Sequence, residues 1–90
     1  MNSEGFVKSV QQKLDPIAPI VLPGIIRKQI LDIGATERNL TPEQAEQLIE
    51  RVKEALEMFM GPSGTRLVHQ IMIRELRRYA PEYFEEHALI

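Results

Sequence analysis

Six prolines, at positions 16, 19, 23, 42, 62 and 81, divide the chain, and between them apolar residues recur at spacings of three and four. A proline is tolerated in the first turn of a helix but ends a helix that runs into it. Runs that alternate with a period of two are few, so strands are not expected. The pattern predicts an all-α fold, a small bundle of four to five helices in one domain spanning 1–90. A proline-rich strap, 16–23, lies between the first two helices.

The first helix is predicted from a Ser3 cap to about Asp15, with Phe6, Val7, Val10 and Leu14 on one face. Pro16, Pro19 and Pro23 restrict the residues before them to extended conformations, so PIAPIVLPG reads as a polyproline-like strap. A second helix runs from about Pro23 to Ile33, lined by Ile25, Ile26, Ile30 and Ile33, with Gly34 as its stop. Thr41-Pro42-Glu43-Gln44 carries a capping threonine, a proline at the first helical position and a glutamine at the capping-box position. The third helix then reaches Met60, with Ala45, Leu48, Ile49, Val52, Leu56 and Phe59 as its core face. Gly61-Pro62-Ser63-Gly64 breaks the chain. A fourth helix extends from about Thr65 to Tyr79, with Val68, Ile71, Met72, Leu76 and Tyr79 facing inward and His69 and Ile73 on a flank. Pro81 bends it or opens a short last helix.

Composition narrows the function. Ninety residues with 43% hydrophobic and 27% charged side chains suit a small globular domain. A net charge of −2 gives no overall attraction to nucleic acid or an anionic membrane. The absence of cysteine removes disulfides and thiolate metal sites and fits a cytoplasmic location. The N-terminus lacks the basic and apolar regions of a signal peptide. The most apolar window, 16–26, is too short for a membrane span and is interrupted by prolines.

Charge is arranged in stripes. Glu43, Glu46, Glu50, Glu54 and Glu57 share one face of the third helix. Arg66, Gln70, Arg74, Arg77 and Arg78 lie along one side of the fourth. These are either solvated faces or complementary surfaces that meet within the fold or between molecules. The second reading names Glu46, Glu50, Glu54, Arg74, Arg77 and Arg78 as partner-binding residues, the partner being another protein or a second copy in a homodimer. Nucleic-acid binding by the fourth helix is disfavoured by the acidic third helix and the lack of interleaved aromatics.

The segment Ser63, Gly64, Thr65, Arg66 lies at a helix N-terminus, where backbone amides accept anions. It lacks the Gly-Lys-Ser/Thr ending of a phosphate loop and follows a helix, so a helix–helix turn is the stronger reading. His69 and His87 are far apart, and no nucleophile–base pair or metal-ligand spacing is present. No catalytic residue, metal ligand or cofactor is expected, and the chain is not expected to be an enzyme.

The stretches IIRKQILDIGA, AEQLIERVKEAL and TRLVHQIMIRELRRYAPEYFEEH, within residues 25–88, resemble the helical part of the ATP-cone family of regulatory nucleotide-binding modules. That resemblance implies nucleotide sensing. The family's opening strand pair, with its Lys-Arg-x-Gly-like sequence, has no counterpart before Ile25, so no binding residues are carried over. LPGIIRKQI and LTPEQ are also similar to one helix pair of a small domain attached to some protochlorophyllide reductases.

Overall fold

The computed structural model describes residues 1–87, with Glu86 and His87 described through their backbone alone. Four helices follow one another: α1 (Ser3–Leu14), α2 (Leu22–Ile33), α3 (Pro42–Tyr79) and α4 (Pro81–His87). No strand occurs among the described residues. The all-α bundle expected from proline spacing and periodicity is the fold observed.

Helix α3 is not one rod. Thirty-eight residues in a straight helix would measure about 57 Å, whereas the longest dimension of the molecule is 32 Å. The fold-back is at Gly61, whose φ of 72° and ψ of 178° are closed to residues with a Cβ. A first limb (residues 42–60) and a second limb (residues 62–79) therefore form a helical hairpin. The helix resumes at Pro62, directly after the turn, so the break expected over four residues is confined to one. The Thr65 hydroxyl donates to the Gly61 carbonyl at 2.7 Å, supplying a partner at the turn.

Side-chain contacts set the directions of the rods. Glu50 meets His69 across the hairpin. Phe6 packs edge-on against Tyr79 at 6.3 Å, and Ser9 bonds Glu75, so α1 runs antiparallel to the second limb. Helix α2 starts by the far end of α1, where the Ala18 amide bonds Leu14 and the Leu22 amide bonds Ala18, and ends in a loop whose Glu37 and Leu40 bond Ser3 at the near end, so α2 runs antiparallel to α1 and to the first limb. One pole of the bundle thus carries the α1–α2 connection and the Gly61 turn. The opposite pole carries the loop 34–41, Ala80 and α4.

Local signals explain most boundaries. Thr41 and Gln44 form a reciprocal capping box, with bonds of 3.1 and 3.0 Å. Gly34 ends α2 in the left-handed region (φ 85°, ψ 26°), and the Ala35 amide reaches back to the Ile30 carbonyl. Two expectations are corrected. Asn2, not Ser3, caps α1, its side chain accepting from the Gly5 amide at 3.0 Å. Ser3 lies one residue inside and is buried. The 16–23 strap is not polyproline-like. The Ile17 and Ala18 amides both bond the Leu14 carbonyl, and the Leu22 amide bonds Ala18. Asp15 is helical despite preceding Pro16. Satisfying the carbonyls at the end of α1 outweighs the local steric preference for extension.

The core draws on every element: Phe6, Val10 and Leu14 of α1, Leu22, Ile26 and Ile30 of α2, Leu48, Val52, Met72 and Leu76 of α3, and Phe84 of α4. Phe59 departs from expectation. It continues the inward face of the first limb, yet it is 69% exposed. Tyr83 and Phe84 of α4 are buried. Leu89 and Ile90 lie outside the described residues.

Candidate functional site

The acidic and basic stripes lie side by side on the hairpin but are only partly paired. Glu46 is half-buried and accepts a 2.9 Å bond from the Tyr83 hydroxyl, which ties α4 to the first limb. Burial, with the Glu46 bond second, pushes the Tyr83 phenol up to about 12. Glu50 sits 3.2 Å from His69 Nε2 on the second limb. Glu54 belongs to the crevice against α2, opposite Lys28 and Asp32. The three glutamates grouped in the sequence therefore face different neighbours.

The arginines also divide. Arg78 pairs at 3.2 Å with Glu75 and lies 5.6 Å above the Tyr79 ring. Its role is internal, because Glu75 is only 2% exposed and its carboxylate also accepts from the Ser9 hydroxyl. A charge buried without partners is costly, and Ser9 with Arg78 compensates it. Sequence reasoning missed Glu75. The available signal was its position on the inward arc between Met72 and Tyr79. Arg77 stacks 5.3 Å over buried Phe84. Arg74 is exposed and has no ion-pair partner among the described residues.

Arg74 and Arg77, with His69, Gln70 and Ile73, line an open groove of about 370 Å³ on the second limb. A second crevice of about 220 Å³, between the limbs, is lined by Lys53, Glu57, Pro62, Thr65, Arg66 and His69. Of the candidate anion-binding segment, Ser63 is exposed and Arg66 has no ion-pair partner among the described residues. Thr65 is buried and its hydroxyl is engaged by Gly61. A Cβ on Gly64 would stand 3.0 Å from that of Met60, so Gly64 serves the close approach of the turn.

Among the described residues, no group of three or more His, Asp or Glu side chains is placed to hold a metal ion. No helix among the described residues is long and apolar enough to cross a membrane. Hairpin, crevices and groove together define a small helical module of antiparallel rods with a charged outer face. The chain belongs to the family of unknown function DUF6374, whose model matches residues 21–66. No curated protein and no solved structure matches it. The matched stretch spans α2, the first limb and the turn through Arg66. The groove on the second limb lies beyond it.

Proposed function

We propose that the chain is a non-enzymatic interaction module of the cytoplasm. It binds an acidic segment of a partner protein, or of a second copy, along the groove of the second limb. The observation that carries this reading is the groove itself. Arg74 and Arg77 flank it, Ile73 supplies an apolar lining, and no carboxylate of the described residues pairs with either arginine. A partner helix with carboxylates around one apolar anchor matches that arrangement. The test is capture from the source cells with the wild-type chain and with Arg74→Glu/Arg77→Glu. Proteins retained by the wild type should be lost with the double reversal and at high salt. Identical capture by both would sink the reading.

A second reading, an anion-sensing regulatory domain, draws on the likeness to the ATP-cone helices and on the crevice holding Lys53, Arg66 and His69. Glu57 in the same crevice opposes it. Titration with ATP, monitored by amide shifts of Gly61–Arg66, separates the two readings. No shift at millimolar nucleotide would dismiss the second.

A further inference from the structure

The groove on the second limb differs in charge from two other crevices of the molecule. The crevice between the limbs holds Glu57 beside Lys53 and Arg66, and the crevice against α2 holds Asp32 and Glu54 beside Lys28 and Arg51. Cations there have carboxylates in the same crevice. The groove brings together His69, Gln70, Ile73, Arg74 and Arg77, with no carboxylate among its lining residues. Building on the groove reading and narrowing it, we infer that the anionic group received there is a phosphorylated side chain, a phosphoserine or phosphothreonine in the partner protein's segment.

Three features favour a phosphate monoester on a peptide. The first is donor number and charge. Arg74 and Arg77 stand three residues apart, and Gln70 precedes Arg74 by four, so all three are neighbours on one helix face. Neither arginine has an ion-pair partner among the described residues. One carboxylate matches one guanidinium fork, which leaves the second arginine over. A phosphomonoester offers three acceptor oxygens and a charge of about −1.5 to −2, which suits two guanidiniums and an amide. The second is preorganisation. The Arg77 guanidinium stacks 5.3 Å over the ring of buried Phe84. A planar fork held in this way loses less freedom when it takes up an oxyanion. The third is shape. From His69 to Arg77 the groove follows the helix for about 12 Å, the length of three to four residues of extended chain. Ile73 offers a peptide an apolar contact beside the arginines. A free phosphate would use the arginine end alone. No Phe, Tyr or Trp is among the lining residues to stack the base of a nucleotide.

Amide-shift titration of the full chain tests the inference with the peptide acetyl-Ala-Leu-pSer-Leu-Ala-amide. Its unphosphorylated form, and a form with Glu-Glu in place of the phosphoserine, are the controls. The phosphopeptide should shift the amides from Gln70 to Arg77 and bind roughly 10-fold tighter than either control. Arg74→Lys/Arg77→Lys keeps the charge, removes the forks and should weaken binding about 5-fold. Arg74→Glu/Arg77→Glu should abolish it with an unchanged helical circular dichroism spectrum. Equal binding of the Glu-Glu peptide overturns the inference and leaves the groove reading standing. Absence of shifts at millimolar phosphopeptide overturns it too, as do shifts confined to other parts of the chain. Inorganic phosphate that binds as tightly as the phosphopeptide overturns it in favour of a free anion. Tighter binding to phosphatidylcholine vesicles containing phosphatidylinositol phosphate overturns it in favour of a lipid headgroup. Failure of the groove reading is distinguishable, because capture from the source cells would then be indifferent to Arg74→Glu/Arg77→Glu.

Discussion

Gly61 shows how one residue governs this molecule. Its backbone lies in a region that only glycine enters without strain, and a Cβ there would meet open space. Gly61→Ala therefore measures backbone strain alone. Urea unfolding should show a loss of about 1–3 kcal/mol. Tyr83 gives a second residue-scale prediction. Its phenol is held neutral by burial and by donation to Glu46, and ionises near 12 instead of its usual 10. A raised pKa in the folded state contributes stability that is complete below pH 10. It is lost as pH rises from 10 towards 12. The thermal midpoint of the wild type should fall more steeply across that window than that of Tyr83→Phe. Equal slopes would mean that the hydroxyl is not held.

At the scale of elements, the joints rest on polar side chains acting at a distance. The Ser3 hydroxyl donates to the Glu37 carbonyl at 2.6 Å and accepts from the Leu40 amide at 2.9 Å, so it fastens the α2–α3 loop to α1. Ser3→Ala leaves the Leu40 amide unpaired in a buried setting, at a cost of about 1–3 kcal/mol. An exposed N-cap would cost about 1 kcal/mol. Hydrogen exchange distinguishes the roles. Ser3→Ala should speed exchange at Leu40 more than at Gly5, which Asn2 caps. The capping box of Thr41 was legible because all its parts are local. The role of Ser3 was not, because its partners lie 34 and 37 residues away.

For the whole molecule, charge reversal in the groove predicts loss of binding without loss of fold. Arg74→Glu/Arg77→Glu should abolish salt-sensitive capture of partners and leave the helical circular dichroism spectrum and thermal midpoint unchanged. Pull-down and thermal melting of the same variant check this, and unchanged capture would remove the groove from the account.

Proline spacing, apolar periodicity and caps determined an all-α bundle of four to five helices, most of their limits and most of the inward residues of the helices before Pro81. Those signals act over a few residues and are written in consecutive letters. Only the tertiary structure decided which charges are spent and which are free. The sequence put Glu46, Glu50 and Glu54 on one stripe and Arg74, Arg77 and Arg78 on another. Packing gave Glu46 to Tyr83, Glu50 to His69 and Arg78 to Glu75, and left Arg74 open to solvent. It likewise left Phe59 uncovered. Pairing and burial depend on which segments become neighbours, and that is a property of the folded chain, not of any one helix.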